Sequence, residues 1–155
     1  MDSIQIYCMA VHGDALEPDA GFTKSIVKLS QSNDPARRVS ALSQLAVKGL
    51  IDAEVVQKIL QAAIQDSDPN VRGQAVYAFA QQGCGDLFVV LEQALQDTEL
   101  SVRLMALDSL GVDERSAALL KQVIEDEDEA QAIKDLAAMK LEFLAAHNQV
   151  QDNGI

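Results

Sequence analysis

Asp68-Pro69-Asn70-Val71-Arg72-Gly73-Gln74-Ala75-Val76-Tyr77-Ala78-Phe79 reads as the opening of a helix. Proline suits the first helical position, where its missing N–H would go unpaired anyway, and Asp68 stands where a carboxylate caps the free N–H groups. At about 100° per residue, Val71, Ala75, Val76 and Phe79 share one arc and predict the buried side. Asn70, Gly73, Gln74, Tyr77 and Gln81 fall on the opposite side. The stretch recurs. Upstream stands Asp34-Pro35-Ala36-Arg37-Arg38-Val39-Ser40-Ala41-Leu42-Ser43-Gln44-Leu45. Downstream stands Glu99-Leu100-Ser101-Val102-Arg103-Leu104-Met105-Ala106-Leu107-Asp108-Ser109-Leu110, and a weaker fourth copy runs from Ile133 to Leu141. A basic residue fixes the register: 34 residues separate Arg38 from Arg72, 31 separate Arg72 from Arg103, and 31 separate Arg103 from Lys134. Alanine follows three positions later each time (Ala41, Ala75, Ala106, Ala137), and a large apolar residue four positions after that (Leu45, Phe79, Leu110, Leu141). In the third and fourth copies Leu100 and Ala130 replace proline, while Glu99 and Glu129 keep a negative charge at the turn.

The intervening pieces carry the same period. Residues 53–65 hold Val55, Val56, Ile59, Leu60, Ala63 and Ile64; residues 86–96, 114–125 and 19–31 hold similar stripes. Each predicts a first helix, and each copy of the motif opens a second. Helix pairs on short turns cannot bury their apolar faces alone, so each must lie against its neighbours in a quasi-one-dimensional stack. The expected fold is all-α: a solenoid of four helical hairpins over 19–147, with residues 1–18 as a separate N-terminal segment and 148–155 as a fraying tail. Within 1–18, the alternation of Ile4, Ile6, Cys8 and Ala10 fits a strand, while Ile4, Cys8 and Val11 fit a helix; a helical cap on the first repeat is the preferred reading. Composition agrees with packed helices, since 48% of the 155 residues are hydrophobic and only 4% aromatic.

The pattern Asp-Pro-x-Val-Arg-x-x-Ala-x-x-x-Phe resembles the HEAT repeat, and most closely the short HEAT-like repeats first noted in phycobilisome lyases. The resemblance covers residues 19–145. It implies an α-solenoid whose second helices line a concave face, and a structural ladder in which Asp66, Asp68, Asp97 and Asp126 meet Arg38, Arg72 and Arg103. Such repeats serve many purposes, so the fold does not by itself give the function.

Chemistry is sparse. His12 and His147 fall near opposite ends of the stack. Cys84, in Gln82-Gly83-Cys84-Gly85-Asp86, precedes a helix N-terminus that could lower a thiol pKa, but no His or Lys accompanies it in sequence; Cys8 is expected to be buried. Asp66-Ser67-Asp68 and the run Glu125-Asp126-Glu127-Asp128-Glu129 lack the mid-loop Gly and terminal Glu of a calcium loop. The expectation is therefore no catalytic set, no metal and no cofactor. With a formal net charge of −12, nucleic acid and anionic membranes are poor partners, and a protein with a basic or mixed basic-apolar surface is a better one. No apolar run is long enough to span a bilayer. Two cysteines without metal or disulfide spacing suit a reducing cytoplasm. Asn70, Gln74, Tyr77, Gln81, Leu104, Met105, Asp108 and Met139 form the candidate concave face, with Leu104 and Met105 open to a reading as inter-repeat core. The chain is thus expected to be a non-catalytic protein-binding module, a small adaptor or regulatory subunit. The alternative is an accessory factor of the lyase or chaperone type acting on a cofactor-bearing client. The sequence leaves the oligomeric state open.

Overall fold

A computed structural model describes residues 19–83 and 85–152, with side chains through His147. The expected cap at 1–18, the two cysteines, His12 and residues 153–155 lie outside the described residues. All regular structure among the described residues is helical. In chain order the helices are α1 (Ala20–Ser30), α2 (Pro35–Leu45), α3 (Ala53–Ala63), α4 (Pro69–Gln82), α5 (Leu87–Leu95), α6 (Leu100–Ser109), α7 (Glu114–Glu125) and α8 (Gln131–Asp152). They form four antiparallel pairs, α1/α2 to α7/α8. The last helix continues past position 148, because the first breaker in the sequence is Asn153-Gly154.

Aspartate starts these helices. Asp19, Asp34, Asp52, Asp68, Asp86 and Asp113 each accept a hydrogen bond from a first-turn N–H through the side chain. Asp68 Oδ1, for example, accepts from Asn70 N at 2.8 Å and Val71 N at 3.3 Å. Glu99 occupies the same position at α6 without a side-chain bond; its longer side chain does not fold back as an aspartate does. Gly83, at φ 61°, ends α4 in the left-handed conformation, and its N–H donates to Phe79 O at 2.9 Å.

The repeat register is also the core register. Ala41, Ala75, Ala106 and Ala137 are all fully buried, and Val71, Val102 and Ile133 fill the position four residues earlier. In the first repeat that earlier position holds Arg37, largely exposed, so the outer side of α2 is polar. Leu45, Phe79 and Leu110 are buried seven residues after the ladder arginine. In the fourth repeat Leu141 is only half-buried and Leu144 takes the interior place.

Second helices pack directly on one another along α2, α4 and α6, whereas contact between first helices is slight. The small residues on the second helices allow this. Gly73 is buried against α6, where a Cβ built at Gly73 would lie 3.9 Å from Met105 Cβ. The helical wheel places Gly73 on the free side. Burial overrides that placement because α4 is flanked on both sides, by α2 and by α6. The arrangement changes at the last step. Helix α6 is only ten residues long, and α8 lacks the broad contact with α6 that α6 makes with α4.

Candidate functional site

Two features could carry function: a ladder of ion pairs along the turns, and the free face of the second helices.

The ladder joins each second helix to the next inter-helix turn. The Arg38 guanidinium donates to both oxygens of Asp66, each at 2.8 Å, and to Ser32 O at 2.8 Å. Arg72 repeats this with Asp97 (2.8 and 2.9 Å) and Asp66 O (2.8 Å). These four side chains are only 14–15% exposed. Burial raises the pKa of Asp66, but the Arg38 bonds and the Asp68 N–H outweigh it and hold the carboxyl below its ordinary value. The bonds from Arg72 dominate at Asp97 and likewise lower it against burial. Arg103 departs from the assignment made on the sequence. It pairs with Glu129, at 3.0 Å, and not with Asp126. The turn before α8 holds two more residues between this aspartate and the helix start than the turns after Asp66 and Asp97 do. Asp126 therefore keeps only the local bond from Asp128 N, at 3.0 Å, and the longer Glu129 reaches the guanidinium. Asp68, also placed in the ladder on the sequence, is the N-cap of α4. Arg72 finds its carboxylate partner at Asp97, which leaves Asp68 free for that role. Each rung is satisfied internally, and Arg38 and Asp66 also line the wall of a cleft between α1 and α3.

The acidity follows the same geometry. The helices among the described residues carry more Lys and Arg than Asp and Glu, and the excess acid lies in the turns. Most of those turn acids are caps or ladder partners.

On the second-helix face, Asn70, Gln81 and Asp108 are exposed and Gln74 is half-buried. Tyr77 is 39% exposed and Met139 63% exposed. Leu104 and Met105 are half-buried against the core, which corrects their place on the exposed face. Met105 meets Gly73 at the joint between α4 and α6. Val47 and Phe143, which the helical wheel puts on the same side, are exposed as well, and Val112 extends the surface beyond the set drawn from sequence. Counting from the buried alanines, Tyr77 and Met139 occupy one register position, and Val47, Val112 and Phe143 the position one turn later. Phe143 was legible from its spacing to Met139. Val112 was not, because it sits in the turn after α6, where a helical wheel has no meaning. Phe143 stacks on His147 with ring centroids 6.3 Å apart.

Elsewhere, a cleft of about 320 Å³ lies between α1 and α3, lined by Val27, Leu42, Val55 and Ile59. Arg38, Leu42 and Val71 of second helices also line it, and none of the exposed apolar row does. No group of three metal-ligating side chains occurs among the described residues, and none of their helices is long and apolar enough to cross a membrane.

A family model described as HEAT repeats matches residues 23–110 and, overlapping, 56–142. No curated protein matches the chain.

Proposed function

Because this chain belongs to the HEAT-repeat family, whose repeats generally mediate contacts between proteins, we propose that it is a non-catalytic interaction module, a small adaptor or regulatory subunit, that docks a protein on its second-helix face. One observation carries the reading: exposed apolar side chains recur at two register positions along the second-helix side, Tyr77 on α4 and Met139 on α8 at one, and Val47 after α2 and Phe143 on α8 one turn later. An interrupted apolar row rimmed by polar groups marks a contact surface, and Tyr and Met are enriched at such surfaces. The row is held by helices locked through the buried alanines and the ladder, so docking incurs little cost of ordering the receptor. Basic groups on the partner are expected beside its apolar ones, facing the acidic turns.

The test is affinity capture from the native source with three baits: wild type, Tyr77→Ser/Met139→Ser, and Val89→Ser. Val89 is 55% exposed on α5, a first helix, and controls for loss of any surface apolar group. The expected result is a protein retained by wild type and Val89→Ser and lost by the double variant. Retention by all three, or loss by both variants alike, would overturn the assignment of the face.

A further inference from the structure

We infer that the patch where α8 runs past the end of α6 receives an amphipathic helix of the partner whose apolar stripe is flanked by lysine or arginine. This rests on the docking role proposed for the second-helix face and gives it a place and a chemistry.

The patch arises from unequal helix lengths. Helix α6 stops at Ser109, while α8 runs from Gln131 to Asp152. Phe143, at the register of Val112 beyond Ser109, consequently has no α6 residue beside it; Met139, one turn earlier on the same side of α8 and at the register of Asp108, borders it, and the two are 64% and 63% exposed. Val112, 53% exposed, lies in the turn that follows α6. The two elements are fixed together: Lys140 Nζ donates to Leu107 O at 2.8 Å and Asp108 O at 2.7 Å, tying α8 to the carbonyl end of α6. Apolar groups at this spacing match the anchors of a helix laid against a helical surface.

Charge selects the occupant. Asp108 at the end of α6, Asp113 and Glu114 just after Val112, and Glu142 beside Phe143 on α8 are all exposed. Lys140, next to Met139, and Arg115, three residues after Val112, are both engaged within the chain: Lys140 with the α6 carbonyls, and Arg115 with the Phe88 ring, its guanidinium carbon 3.9 Å from the centroid. An incoming helix thus meets apolar side chains inside an acidic rim. Basic flanking residues gain from that field and acidic ones are repelled, which sets specificity more than affinity.

The test uses two fluorescent eighteen-residue helical peptides with the same leucine stripe, one flanked by lysines and one by glutamates, titrated into the whole chain. The lysine peptide is expected to bind, the glutamate peptide at least about tenfold more weakly, with binding of the former falling as salt rises. Met139→Ser/Phe143→Ser is expected to weaken the lysine peptide by about tenfold or more, while Val89→Ser leaves it unchanged. Both residues are exposed, so circular dichroism should confirm an unchanged fold. Equal binding of the two peptides, no binding of either, or full binding by Met139→Ser/Phe143→Ser overturns the inference. If Tyr77→Ser loses the lysine peptide and the α8 variant keeps it, the docking role survives and the placement fails.

Discussion

Removing one rung of the ladder tests whether the ion pairs hold the stack together or merely decorate it. Arg72 makes four hydrogen bonds: two to the Asp97 carboxylate at 2.8 and 2.9 Å, and two to the Asp66 and Ser67 carbonyls at 2.8 and 3.2 Å. Charge-assisted bonds contribute about 1.5–3 kcal/mol each when one partner is deleted, yet Arg72 and Asp97 keep 15% and 14% exposure, and water re-solvates part of what is stranded. Arg72→Ala should therefore cost about 2–3 kcal/mol, or a fall in Tm of roughly 5–10 °C for a chain of this size. Arg72→Lys keeps the charge and loses the fork, and should recover only part of this. The assay is urea unfolding of Arg72→Ala, Asp97→Ala and the double variant. The double variant should be less unstable than the sum of the singles by about 1.5 kcal/mol or more, since each single leaves a half-buried group without its partner. The comparison is Lys58→Ala: its contact with Glu54 is as short, at 2.7 Å, but the side chains are 73% and 76% exposed, so its loss should cost less than about 0.5 kcal/mol. Additive single variants, or a loss at Arg72 no larger than at Lys58, would refute the view that the rungs bind one repeat to the next.

Three further outcomes follow from the packing. Gly73→Ala should raise stability by about 0.5–1 kcal/mol, because the helix interior favours alanine and the new Cβ would make ordinary contact with Met105 at 3.9 Å; a lower Tm would show the α4–α6 joint to be tighter than that. Ala106→Leu should cost about 1–3 kcal/mol or more, since Ala106 is fully buried between helices and its neighbours cannot yield; a neutral result in urea unfolding would contradict the close approach. In acid, Asp66, Asp97 and Asp113 have folded pKa values below their ordinary value of 3.8, so the unfolded chain binds protons first. Their stabilisation is present above that value and is lost as the pH falls below it. Asp66→Asn/Asp97→Asn should lower stability at neutral pH and flatten its dependence below about pH 4, which urea titration at stepped pH checks.

Much of this protein was written in one recurring stretch. The order arginine, alanine three later, large apolar four after that gave the helix pairs and the buried alanines, because a helix turns the same angle at every residue and repeats the same environment in every pair. Aspartate before the second helices gave the caps, since capping depends only on residues two or three apart. Properties that depend on a neighbour from another repeat were decided by the tertiary structure. Gly73 looked solvent-facing on a single-helix wheel and is buried because α4 is flanked on both sides. Met105 is half-buried at the joint between α4 and α6. Asp126 looked equivalent to Asp66 and Asp97 and lost Arg103 to Glu129 through two extra turn residues. The candidate site was half legible: Tyr77, Met139 and Phe143 by their spacing, but Val112 only once the turn after α6 was seen. Helical periodicity is local and can be read along a chain. The reach of one helix past another is a difference between two lengths packed side by side, and only the assembled stack sets it.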